Sequence, residues 1–125
     1  MYIADGKTNG PAFSWPDGKR IAVMVTFDYD AEFLRISRAK SKGTSIGFTD
    51  FSRGQYGPHE GLARCLDMLD TMNIKSTFFV PGAVIETYRD TVEEIHRRGH
   101  ELACHGYRHE SGAFPGRDDK NPGKK

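Results

Sequence analysis

The chain has 125 residues, enough for one domain with a real core. Eighteen Lys and Arg against seventeen Asp and Glu give a formal charge of +1, which leaves no basic excess for a nucleic-acid or anionic-membrane surface. No stretch approaches the roughly 20 apolar residues that span a bilayer, and residues 1–17 form a polar, Gly- and Pro-containing N-terminal extension without the apolar run of a signal peptide, so a cytoplasmic protein is expected.

Residues 19–30 (KRIAVMVTFDYD) carry the strongest strand signal. Ile21, Val23, Val25 and Phe27 alternate onto one apolar face, and Ala22, Met24, Thr26, Asp28 and Asp30 onto a smaller face that turns polar at its end. A strand apolar on both sides suits a parallel sheet covered by helices. Residues 31–57 then read as a long connection holding Arg35, Arg38, Lys40, Lys42 and Arg53, of a length that is usually functional or disordered. Residues 58–73 predict an amphipathic helix, with Leu62, Cys65, Leu66 and Leu69 at i, i+3, i+4 and i+7 and Pro58 at its start. A short strand over residues 74–80 (IKSTFFV) ends at Pro81-Gly82. A second helix over residues 84–98 buries Tyr88, Val92 and Ile95 and is capped by Gly99. Residues 100–105 (HELACH) predict a third strand. Strand, helix, strand, helix, strand implies βαβ units in an α/β fold with a parallel sheet. The tail over residues 111–125 has almost no apolar residues and is expected to be disordered.

Asp28 and Asp30 sit two apart at the C-terminal end of the first strand, the end where parallel α/β proteins place their sites. Two carboxylates so close repel unless a cation or donor intervenes, and a metal ion bound by one of them resolves the conflict. D-x-D is also a common pattern of solvated turn acids. His105 and His109, spaced H-x-x-x-H, would present two imidazoles on one side of a helical turn, an arrangement used for divalent metals. One aspartate and two histidines leave an open position for water, as in catalytic metal sites. The two cysteines, Cys65 on the first helix and Cys104 on the third strand, are in no metal-binding spacing and read as buried, reduced thiols.

TFDYD, then IKSTFFVPG, then GHELACHGYRHE closely resemble the NodB-type polysaccharide deacetylases of carbohydrate esterase family four, over residues 15–110. The resemblance is strongest to the branch without a signal peptide, which also includes amidohydrolases of small cyclic amides. It implies the N-terminal part of a deformed (β/α) barrel of the polysaccharide-deacetylase type, spanning residues 18–110. It implies Asp28 as the base and Asp30, His105 and His109 as ligands of one divalent metal, usually zinc. The implied reaction is hydrolysis of a carbon–nitrogen bond other than a peptide bond, in N-acetylated sugars or polysaccharide, with Asp28 taking the proton of the attacking water. The family's later motifs supply an arginine that positions the base and a histidine that acts as general acid. Nothing after Glu110 matches them, so the chain looks like a truncated member. A non-catalytic metal-binding remnant and an amidohydrolase of a small cyclic amide are the alternative readings. An acetylated sugar or small amide is the partner expected, and an unpaired sheet edge would give a route to homo-oligomers.

The GQYGPHEG stretch (residues 54–61) resembles the loop that reaches the site in the signal-less branch, which makes Tyr56 and His59 candidate substrate contacts. The competing reading is a packed Tyr56 and a helix start at Pro58, His59 and Glu60. His96 reads as solvated and His100 as structural. The basic residues from Arg35 to Arg53 could meet an anionic substrate, although such a run is more often a solvated surface.

Overall fold

The computed structural model describes residues 15–109. The N-terminal extension as far as residue 14 and the C-terminal tail from residue 111 lie outside the described residues. Three strands, β1 (Thr26–Asp28), β2 (Thr77–Val80) and β3 (Glu101–Cys104), form one sheet in the order β1-β2-β3, with both pairings parallel. Asp28 stands opposite Phe79, and Val80 opposite Cys104, so the three strands end on one common rim. The expected α/β organisation with parallel strands and covering helices is the one observed.

Between β1 and β2 the chain forms α1 (Phe33–Ser41), α2 (Phe48–Tyr56), a π-helical turn (Gly57–Gly61) and α3 (Leu62–Thr71). The connection read from sequence as a long loop therefore holds two helices. The reason it was missed lies in its contacts. The one residue of α2 that is fully buried is Gly54, which carries no hydrophobic signal, and α1 buries no residue completely. Pro58 likewise does not start a helix. It lies inside a helical run, where the wide turn accommodates a ring that cannot donate to the i−4 carbonyl.

The strand β1 is much shorter than expected. Its partner β2 offers only four residues, and the strand pairing among the described residues begins at Thr26 opposite Thr77. Ile21 and Val23 are consequently 74% and 79% exposed, and the apolar face assigned to them is real only at Val25 and Phe27, which pack against the core. The helix expected over residues 84–98 is two helices, α4 (Gly82–Thr87) and α5 (Arg89–Arg97), broken at Tyr88 with φ −124° and ψ 45°.

The core forms where the predicted stripes meet. Leu62, Leu66 and Leu69 of α3, Phe78 and Val80 of β2, and Val84, Val92 and Ile95 of α4 and α5 are all buried. Phe27 stacks on Phe78 with centroids 5.0 Å apart, which fixes β1 on β2. Each such side chain contributes about 1.5–3 kcal/mol by leaving water. At the edge of this core, Arg98 donates to Glu94, Asp67 and Asp70 at 2.6–2.9 Å and so ties the end of α5 to α3. Gly99 ends that helix with φ 77°, as its sequence position predicts. The cysteines depart from expectation, since Cys65 is half-buried at the rim of α3 and Cys104 is exposed on the outer strand β3. No described helix is long and apolar enough to cross a membrane.

Candidate metal centre

The rim formed by the strand ends gathers the predicted ligands. Asp30 lies two residues past the end of β1, and His105 directly follows β3, its N–H donating to the carbonyl of Val80 at 3.2 Å. Nε2 of His105 lies 3.4 Å from Oδ1 of Asp30, and Nε2 of His109 lies 3.6 Å from Oδ2. The two imidazole rings cross at 87° with centroids 4.8 Å apart. One donor atom from each of the three residues falls within 4.8 Å of the others.

The histidine pair is not carried on a helical turn. Residues 105–109 are irregular, with Gly106 at φ 73° and His109 itself at φ 57°. The loop is held from two sides instead. At the start of α4, whose first N–H groups have no partner within the helix, Gly82 and Ala83 donate to the carbonyls of Gly106 and Tyr107 at 3.0 and 2.8 Å. From α1, the Ser37 hydroxyl donates to the His109 carbonyl at 2.8 Å. Gly82 packs closely here, since a Cβ in its place would lie 2.6 Å from the Tyr107 ring.

The donor set fits a divalent cation on chemical grounds. Oδ1 of Asp30 and Nε2 of His105 are buried and make no hydrogen bond, an arrangement that is costly unless something else engages them. Burial raises the Asp30 carboxyl above its ordinary value, the neighbouring His109 and His105 oppose that rise, and the Asp28 carboxylate adds to it. A carboxylate with two imidazoles suits zinc, cobalt, nickel or manganese. Asp28 is exposed at the last position of β1 and is not one of the converging donors. Cys104 lines a small cavity with His105, Gly106 and His109 but also stands outside the converging set.

The remaining candidates do not join this cluster of donors. Tyr56 ends α2, exposed, with its ring against Gly61, and His59 stands edge-on to Tyr88 at 6.1 Å. The turn that carries His59 and the Asp28 position line one cavity of about 200 Å³, through Gly57, Gly61 and Asp28. Arg35, Arg38 and Lys42 line a separate cavity between α1 and α2, where Arg35 pairs with Asp50 at 3.0 Å. His96 is exposed, as read. His100 is buried and accepts the backbone N–H of Ser76 through Nδ1 at 3.2 Å, a structural role that also matches the sequence reading. Ser37 and the bond between buried Glu32 and half-buried Tyr88 were not legible from sequence. Only the tertiary fold brings α1 against the histidine loop and α5.

A polysaccharide deacetylase family model matches residues 16–119. The chain belongs to the polysaccharide deacetylase family. It is 37% identical over 93 residues to a peptidoglycan deacetylase of Helicobacter pylori, covering 74% of this chain and 31% of that protein. It is 32% identical over 94 residues to a peptidoglycan deacetylase-like protein of Gibberella zeae, covering 74% of this chain and 27% of that one. Among solved structures, a Mycobacterium smegmatis protein assigned to the polysaccharide deacetylases superposes with a TM-score of 0.70 at 42% identity, over 83% of this chain and 36% of that chain. The sheet and helices described above are thus the N-terminal part of the family's deformed barrel. The chain spans about a third of the length of the curated relatives it matches.

Proposed function

We propose that this polysaccharide deacetylase family chain provides the metal-binding part of a site that hydrolyses carbon–nitrogen bonds other than peptide bonds, removing acetyl groups from N-acetylated sugars or polysaccharide. The observation that carries this reading is the convergence of Asp30, His105 and His109 from two strand ends, with two of their donor atoms buried and lacking hydrogen-bond partners. A divalent ion, zinc in the first instance, supplies Lewis-acid polarisation of an amide carbonyl and lowers the pKa of water at such a site.

The chain's own residues then divide the work. Asp30, His105 and His109 hold the ion. Asp28, exposed and outside the donor cluster, is the general base that takes the proton from water. Tyr56 and His59 are the substrate contacts that the resemblance of residues 54–61 to the loop reaching the site implies; neither side chain lines the cavity beside Asp28. The relatives named as peptidoglycan deacetylases support an acetylated carbohydrate as substrate class.

Metal analysis of the purified chain beside His105→Ala and Asp28→Asn tests the assignment. One equivalent of divalent metal is expected in the wild type and in Asp28→Asn, and none in His105→Ala. Acetate release from N-acetylated oligosaccharides is measured in a full-length relative, where the change equivalent to Asp28→Asn is expected to abolish it while metal is retained. Equal metal content in the wild type and His105→Ala would remove the site, and loss of metal from Asp28→Asn would reverse the roles of the two aspartates.

A further inference from the structure

Helix α1 touches both halves of the metal centre. Its N-terminal side begins with the turn that carries Asp30, where the Phe33 N–H closes on the Asp30 carbonyl at 3.0 Å. Inside that turn Ala31 has φ 49°, a left-handed conformation that costs a non-glycine residue about 1–2 kcal/mol. Such strain persists only where the surroundings over-determine it. Four residues into α1, Ser37 reaches the other half and donates to the carbonyl of His109.

What holds the strained turn is Glu32. It occupies the N-cap position of α1 yet makes no cap with its side chain. The side chain turns inward and is 5% exposed, and both carboxylate oxygens lie within hydrogen-bond distance of the Tyr88 hydroxyl, at 3.0 and 2.9 Å. Tyr88 sits at the break between α4 and α5, whose backbone is set by buried Val84 and Val92. On the other side, α2 presses its Gly54 so close that a Cβ there would stand 2.4 Å from the Glu32 Cα. A buried polar group is costly unless it is hydrogen-bonded, and the Tyr88 hydroxyl supplies that bond.

We infer that Glu32, anchored by Tyr88, and Ser37, anchored on His109, are positioning residues that make α1 a clamp holding Asp30 and His109 at ligand spacing. The inference rests on the metal reading above and adds what presets its geometry. Glu32 locks the turn that aims the Asp30 carboxylate, and Ser37 locks the loop that aims the His109 imidazole. Neither side chain supplies an atom to the metal-binding set, so their effect is on the affinity and symmetry of the site. Outer partners that orient metal ligands typically contribute about 10–100-fold in affinity.

Cobalt(II) and zinc titrations of the purified chain test this, followed by the visible absorption of the cobalt form and by competition with a chelator. Ser37→Ala, Tyr88→Phe and Glu32→Ala are each expected to weaken binding at least about tenfold and to alter the cobalt spectrum. Glu32→Gln keeps an acceptor for the Tyr88 hydroxyl and is expected to restore most of the lost affinity. Circular dichroism and a cooperative melt establish that each variant is folded, and Ser37→Ala, at a half-buried position, provides the arm least exposed to misfolding. Wild-type affinity and an unchanged spectrum in folded Ser37→Ala and Tyr88→Phe would overturn the clamp while leaving the metal site in place. Absence of cobalt and zinc binding by the wild type would overturn both.

Discussion

Oδ1 of Asp30 stands 3.4 Å from Nε2 of His105, and both atoms are buried without a hydrogen-bond partner. Contact at that distance without a hydrogen bond leaves each atom short of the interaction that water would give it. A shared cation satisfies both at once.

Zinc should therefore stabilise the folded chain. At a free concentration one hundred times its dissociation constant, an ion that binds only the native state adds about 2.7 kcal/mol. A thermal melt with and without zinc is expected to show the rise, and a chelator to reverse it. His105→Ala and Asp30→Asn are expected to abolish the shift. A rise of the same size in these variants would assign the effect to binding elsewhere.

The two close-packed glycines should differ in cost. At Gly82 an added Cβ meets the ring of Tyr107, an exposed side chain that can swing aside at the expense of its bond to Glu86. At Gly54 the added carbon meets the Glu32 backbone at 2.4 Å, and no side-chain rotation relieves it. Gly82→Ala is expected to destabilise by about 1–3 kcal/mol and Gly54→Ala by more. Denaturant titrations of the two variants measure the order, and the reverse ranking would contradict the packing of α2 on the Asp30 turn.

Tyr29 gives the fold a predictable alkaline limit. Its phenol is buried and bonded to Thr91 at 2.8 Å, and burial pushes its pKa up to about 12 from an ordinary 10.0. The native state thus holds this proton more tightly than the unfolded chain does. Stability is intact below the unfolded value and falls as pH rises from about 10 towards 12, by about 2–3 kcal/mol in all. Urea titrations at pH 8 and pH 11 measure the fall. Tyr29→Phe, which has no proton to lose, is expected to flatten that part of the pH profile while giving up about 1 kcal/mol of hydrogen bonding at pH 8.

Ile95 is fully buried where α5 meets the core, and Ile95→Ala is expected to cost about 2–5 kcal/mol. His96, beside it on the exposed face, should tolerate alanine within about 0.5 kcal/mol. A pair of thermal melts compares them, and equal losses would show that α5 presents a different face to the sheet.

Local patterns alone determined a large part of this protein. The 3.6-residue recurrence of Leu62, Leu66 and Leu69 defined the buried face of α3, because one helical face meets one core. Pro81 and Gly99 fixed element ends through backbone chemistry that needs no neighbours. Asp30, His105 and His109 were legible as a candidate metal-binding cluster because their side-chain chemistry and spacing are local facts. Tertiary structure decided the rest. The length of β1 depended on how much partner β2 offered, so Ile21 and Val23 became exposed although their own sequence reads as strand. Helix α2 was invisible because its buried contact is made by Gly54, a residue defined by what it lacks. The H-x-x-x-H spacing became a loop because the carbonyls of Gly106 and Tyr107 were taken by the start of α4 rather than by a helical turn of their own. The Glu32–Tyr88 bond joins residues on elements that only folding brings together, and no local pattern encodes such a pairing.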